Sequence, residues 1–326
     1  MRLTFISGVI VISLVLETCL CEDDPDHDAK LRLYHGSMEE FSEIPFVEAE
    51  LLLESSRFDR NLDTVIFAHG FTGHPGGPAI RGVISAYLSR GSCNVVLLDW
   101  RHQAAHTRPS MANSYLNWAA PNARKLGARF ADVLRTLQAA GLDLGRTHLV
   151  GHSLGAQLFG IAGNNLIARG VEVGWITGLD PASTDFEGKH LAGKLHAGSA
   201  SYVDIIHSDP SKYGYKRSTG TVDFWPNYRN GPVWQPGCDN KPHPMFSPED
   251  ICNHNRSWQL LADALRYPGS IVGSHAKNYR VWKNYSDSER NAVTLVLGER
   301  RHNVTKGNYY FTTNSASPYG IGVKGL

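Results

Sequence analysis

Neither sign of charge prevails in this chain: 32 lysines and arginines face 31 aspartates and glutamates, a formal net charge of +1 over 326 residues. There is no long basic run, so the footprint of a nucleic-acid partner is missing. Hydrophobic runs of membrane-spanning length are missing too. A span takes about 20 apolar residues, and the segment Leu3 to Leu16 is interrupted by Glu17. It starts behind Met1-Arg2 and runs through Cys19-Leu20-Cys21 into the acidic Glu22-Asp23-Asp24. A charged start, a short apolar core and a polar exit predict a secretory signal peptide over residues 1–21, an extracellular protein and only peripheral contact with membranes.

Cysteine is also scarce. Cleavage after Cys21 leaves Cys93, Cys238 and Cys252. In an oxidising compartment Cys238 with Cys252 is the economical bridge, because both lie in a polar, proline-rich stretch. Cys93, beside the apolar run Asn94 to Leu98, is expected to remain a buried thiol. Sequons at Asn284 and Asn303 are expected glycan sites, whereas the one at Asn255 adjoins a candidate catalytic residue and is expected to stay unmodified. Neither a linker nor an internal repeat divides residues 22–326, which are expected to form one domain.

Apolar runs of strand length recur at 64–68, 94–99, 147–150, 173–179 and 202–207, separated by segments of helical period. This alternation predicts an α/β fold with a mostly parallel central sheet flanked by helices. One helix is marked by Leu126, Phe130, Val133, Leu134 and Leu137, with Gly141 following as a cap. Another carries Leu158, Phe159, Ile161 and Ala162 and ends near Gly170.

Between a strand and that second helix lies Gly151-His152-Ser153-Leu154-Gly155, a G-x-S-x-G pattern. There it predicts a strained elbow with Ser153 as nucleophile, the flanking glycines relieving collisions with strand and helix. A serine hydroxyl needs a base, and the base needs an acid. Asp180, in Gly178-Leu179-Asp180-Pro181-Ala182, ends the next strand and so lies on the same sheet edge; Asp99 precedes the elbow and Asp204 falls inside an apolar run. Downstream of Asp180 the candidate bases are His254, His275 and His302, with His190, His196, His207 and His243 also present. His254 stands out because Cys252 can fix its loop and a helix begins directly after it. The pair His102 and His106 lacks the glutamate of H-E-x-x-H and reads as solvated surface. Oxyanion donors are expected from the amides of Leu154 and, after an early strand, Phe71 in His69-Gly70-Phe71.

Taken together, the stretches His69 to Phe71, Gly151 to Gly155, Gly178 to Ala182 and Cys252 to Ser257 resemble the animal pancreatic-lipase family, through nearly the whole chain after residue 21. The resemblance implies the α/β-hydrolase fold, a Ser153–His254–Asp180 triad, oxyanion amides from Phe71 and Leu154, and no cofactor. It also implies a lid between Cys238 and Cys252. That lid and the 208–222 loop are short, as in members acting as phospholipases of the A1 type, which implies a phospholipid or other acyl-lipid substrate at an interface. Triacylglycerol lipase or galactolipase activity is the alternative within enzymes. A lipase-like binding or yolk-storage protein is the alternative outside them, and it is disfavoured by the intact triad. Leu191, His196 and Ser199 stand where calcium-binding relatives carry acidic ligands, so no metal is expected. Residues 255–326 are expected to finish the sheet without building a C-terminal β-sandwich domain.

Overall fold

The computed structural model describes residues 29–210, 212–229, 233–300 and 303–326, so the expected signal peptide and His302 lie outside the described residues. The strands are β1 (Lys30–Tyr34), β2 (Phe41–Pro45), β3 (Asp63–Ala68), β4 (Cys93–Asp99), β5 (Thr147–His152), β6 (Trp175–Leu179), β7 (Val203–Ile206), β8 (Val222–Pro226), β9 (Val272–Ala276), β10 (Thr294–Val296) and β11 (Gly307–Phe311). They form one sheet in the order β10-β9-β11-β8-β7-β6-β5-β3-β4-β1-β2. From β11 to β4 all neighbours are parallel, while β1 with β2 and β9 with β10 add antiparallel edges.

The parallel strands are apolar on both sides because both faces are covered. In β3, Ile66 and Ala68 join one core while Val65 and Phe67 join the other, as the alternation of side chains along a strand requires. Helices Ala120–Ala139 and Leu154–Ile167 supply the first core, and helices Pro78–Arg90 and Cys252–Arg266 the second. Each fully buried leucine or phenylalanine here contributes roughly 1.5–3 kcal/mol against exposure. Gly141 follows the first helix at φ 108° and Gly170 follows the second at φ 74°, so both expected stops hold.

Strand order reverses between β3 and β5, since β4 lies on one side of β3 and β5 to β8 continue on the other. A crevice opens outside the carboxyl ends of strands at such a switch point. It is bounded by the Gly70-Phe71 loop after β3 and by Ser153 after β5.

Cys238 and Cys252 are bridged, with their α-carbons 5.7 Å apart, and Cys93 is a free thiol. Cys93 is half-buried rather than buried: as the first residue of β4 it packs at the margin of the second core, and burial still pushes its pKa up to about 11. Asn284 and Asn303 are exposed, while Asn255 is half-buried in a helix. Among the described residues no helix is long and apolar enough to cross a membrane.

Candidate active site

β5 gives way directly to helix Leu154–Ile167, so Ser153 makes the turn alone, at φ 54° and ψ −113°. Backbone strain of this kind costs about 1–3 kcal/mol, and hydrogen bonds on both sides hold it. The Ser153 amide donates to the Leu179 carbonyl at 2.9 Å, and its own carbonyl accepts from Ala156 and Ala182, both at 3.2 Å. The flanking glycines are a steric requirement. A Cβ on Gly151 would sit 2.5 Å from the Ala156 backbone, and one on Gly155 would sit 2.4 Å from the Ala68 carbonyl oxygen.

Asp180 follows β6 and is fully buried. Its Oδ1 accepts the amides of Ser208 at 2.8 Å and Asp209 at 3.0 Å, and its Oδ2 lies 2.6 Å from His254 Nδ1. The carboxylate is therefore fixed by two backbone donors before it meets the imidazole, which makes Nδ1–H the tautomer that fits and leaves Nε2 as the ring's basic nitrogen. His254 sits in the first turn of helix Cys252–Arg266, whose first residue is the bridged cysteine. Ser153 and His254 line one cavity of about 430 Å³, together with Phe71, Tyr115, Tyr213 and Phe246. That volume lies within the usual range for small-molecule sites.

As the first helical residue, Leu154 has an amide without an intrahelical acceptor, and the Phe71 loop borders the same cavity. His69 is held against Trp100 by ring stacking at 5.6 Å, and the Trp100 indole N–H donates to the His69 carbonyl at 3.0 Å. Burial lowers the His69 pKa to about 4. The His152 ring lies 4.8 Å from that of His254, and burial, followed by His254 itself, lowers its pKa well below the ordinary value. A neutral His152 leaves His254 free to take up charge without repulsion.

The segment between Cys238 and Cys252 is pinned by a buried carboxylate, that of Asp250. The Asp250 carboxylate accepts from Lys212 Nζ at 2.6 Å, from the Phe246 amide at 3.0 Å and from the Tyr213 hydroxyl. Phe246 consequently packs on Phe71 and Tyr213, with ring centroids 5.4 and 5.2 Å apart.

The other candidates are engaged elsewhere. Asp99 pairs with Arg101, and Asp204 accepts from Trp175 and Thr177. His207 meets Asp223 at 2.7 Å, His275 meets the Lys306 carbonyl at 3.3 Å, and His102 and His106 are exposed. Among the described residues no group of three or more His, Cys, Asp or Glu is placed to hold a metal ion.

Sequence reasoning missed Ser208, Asp209, Gly214, Gln235 and Gln157. The Ser208 hydroxyl donates to the His254 carbonyl at 3.2 Å, and Gln235 ties the Ser208 carbonyl at 2.8 Å to Asn253 at 2.8 Å. Gln157 bridges the Ala182 carbonyl at 2.7 Å and the Leu195 amide at 3.0 Å; a lone glutamine within an apolar helix was its available signal.

A strained serine elbow on a mostly parallel sheet, facing a buried histidine–aspartate pair, defines an α/β-hydrolase. The chain belongs to the Lipase family, whose model matches residues 20–319. It is 35% identical over 225 residues to lipase member H-B of Xenopus laevis, covering 68% of this chain and 45% of that protein. It is 30% identical over 259 residues to phospholipase A1 of Vespa crabro, covering 78% and 82% respectively. Phospholipase A1 member A of Bos taurus is 32% identical over 235 residues, with 72% and 48% covered. The chain thus spans about half the length of the two vertebrate relatives.

Proposed function

We propose that this protein is a secreted carboxylic ester hydrolase that releases the sn-1 acyl chain of glycerophospholipids at a lipid surface. The observation that carries the reading is the His254 Nδ1–Asp180 Oδ2 contact of 2.6 Å, on a ring that shares its cavity with Ser153. His254 Nε2 takes the Ser153 hydroxyl proton as Oγ attacks the ester carbonyl, and Asp180 stabilises the resulting imidazolium. The Leu154 and Phe71 amides receive the developing oxyanion, where one donor is worth roughly 10²–10³ in rate. His254 then protonates the departing glycerol oxygen, and the lysophospholipid leaves. Water, deprotonated by His254, hydrolyses the acyl-serine to free fatty acid and regenerates Ser153. No metal or cofactor enters these steps.

Two features support phospholipid over triacylglycerol. The first is the short lid, drawn onto Tyr213 and Lys212 by Asp250, which leaves less apolar cover over the acyl site. The second is the likeness to the wasp phospholipase A1, which extends over most of that protein. Cleavage of residues 1–21, a single domain from residue 22 and glycans on Asn284 and Asn303 complete the proposal. The test is a phospholipid with distinguishable acyl chains run beside a triolein emulsion at neutral pH without added calcium. Release mainly from sn-1 and faster turnover of phospholipid are expected; release from sn-2, or preference for triolein, would sink the substrate assignment while leaving the serine mechanism intact.

A further inference from the structure

Beside the carboxyl end of β8, outside the acyl cavity, aromatic rings enclose a second space. Trp225 and Tyr310 are cross-strand partners in the β8–β11 pair, so they stand side by side on one face of the sheet. Tyr279 and Trp282, on the short helix Tyr279–Lys283, close over Tyr310 at ring-centroid distances of 5.9 and 5.8 Å. Tyr228 completes the ring set edge-on to Trp225 at 5.1 Å and to Tyr279 at 5.4 Å.

Such a cluster normally seals as a satellite of the main core. Here a cavity of about 180 Å³ remains, bordered by these rings, by exposed Trp234 and by exposed Arg229. Two details make it more than incomplete packing. The Trp282 indole N–H is buried and has no hydrogen-bond partner among the described residues, which marks the cluster as incompletely satisfied. The cluster also already holds a cation on a ring face, with the Arg290 guanidinium carbon 4.5 Å from the centre of Trp282.

We infer that this pocket binds the phosphocholine headgroup of a lipid at the interface, its quaternary ammonium among Trp225, Tyr228, Tyr279 and Tyr310 and its phosphate at Arg229. Aromatic faces attract a quaternary ammonium through their quadrupoles, and that ion has no N–H to leave unsatisfied in an apolar wall. The guanidinium at the rim matches the anionic half of the same headgroup. The location matches the role. Trp234 and Pro236, which border the pocket, lead into bridged Cys238, and Cys252 opens the helix that carries His254. A headgroup held here would anchor the active-site edge on a phosphatidylcholine surface while a neighbouring lipid enters the acyl cavity. The inference rests on the phospholipid reading above and adds the headgroup.

The test uses the full chain with Ser153→Ala, so that vesicles are not consumed, in co-sedimentation with phosphatidylcholine or phosphatidylglycerol vesicles. Tyr228→Ala with Tyr279→Ala should weaken binding to phosphatidylcholine by roughly tenfold, leave phosphatidylglycerol binding unchanged, and be rescued by the corresponding Phe pair. On the Ser153 chain the Ala pair should turn over a soluble short-chain ester at the wild-type rate, which also reports folding. If the Ala pair does not fold, Tyr279→Ala alone, on the short helix, carries the test and should weaken phosphatidylcholine binding selectively. Undiminished phosphatidylcholine binding by a folded variant, or an equal loss on both vesicles, would overturn the inference. Failure of the phospholipase reading is distinguishable, because it would show as hydrolysis of triolein but not phospholipid while Trp fluorescence still responds to phosphocholine in solution.

Discussion

Gly214 has no room for a side chain beside Asp180: a Cβ built on Gly214 would lie 2.3 Å from Asp180 Oδ1 and 2.5 Å from Oδ2. The loop after β7 is thus moulded to the carboxylate, which it also holds through the Ser208 and Asp209 amides. Gly214→Ala should therefore push Asp180 off the His254 Nδ1 axis. A misplacement of about 1 Å at a reacting group costs on the order of 10²-fold in rate. The expected outcome is a loss in kcat of that order on a soluble ester, with a near-native circular dichroism spectrum. An unaffected kcat would mean that the loop does not set the acid.

The bridge closes a loop of 14 residues in sequence separation beside His254. In the chain-entropy view such a loop is worth about 3 kcal/mol, a model-dependent figure. Cys238→Ser with Cys252→Ser should lower the urea midpoint, and it should lower ester turnover further because the first turn of the His254 helix loses its clamp. Peptide mapping without reduction should return Cys238 joined to Cys252 and a free Cys93. Recovery of Cys93 in a disulfide would contradict this arrangement.

Two buried groups give stability opposite dependences on pH. His69 has a folded pKa of about 4, depressed by burial from 6.5. Its stabilisation is complete above 6.5 and is lost as pH falls toward 4, amounting to about 3 kcal/mol across that window. Asp209 is buried beside Asp180, and burial followed by that neighbouring charge raises its pKa above the ordinary carboxyl value. Its contribution is complete below the ordinary value and is lost as pH rises through the folded pKa. Asp209→Asn should accordingly raise the urea midpoint at pH 8, whereas His69→Phe should flatten the fall between pH 6.5 and 4. A lower midpoint for Asp209→Asn at pH 8 would show that the carboxylate is paired as an ion.

Of the parallel strands, β3 to β7 were legible because burial on both faces writes apolar runs, such as Asn94 to Asp99, whereas β8, which carries Asp223 and ends in Pro226, and β11, rich in tyrosine, were not marked. β1, β2, β9 and β10 were not, because edge strands such as Phe41–Pro45 alternate exposed and buried positions over only a few residues. The Ser153 elbow was legible because one local turn demands both glycines. The groups that hold Asp180 left no local pattern: Ser208 and Gly214 serve a residue about 30 positions earlier and are specified only by the folded loop. Asp250 left no local pattern for the same reason, since its partners Lys212 and Tyr213 belong to another loop.

Ser153, Asp180 and His254 are expected to act as a unit. Ser153→Ala and His254→Ala should each lower turnover by roughly 10⁴-fold or more, and Asp180→Asn should remove most of it. The most direct measurement of the central claim is labelling of the intact protein by a fluorophosphonate, followed by peptide mapping. Modification of Ser153 alone, abolished by Ser153→Ala and strongly slowed by His254→Ala, is the predicted result. A folded, unlabelled protein, or an adduct on a different serine, would contradict the assignment of Ser153 as the nucleophile.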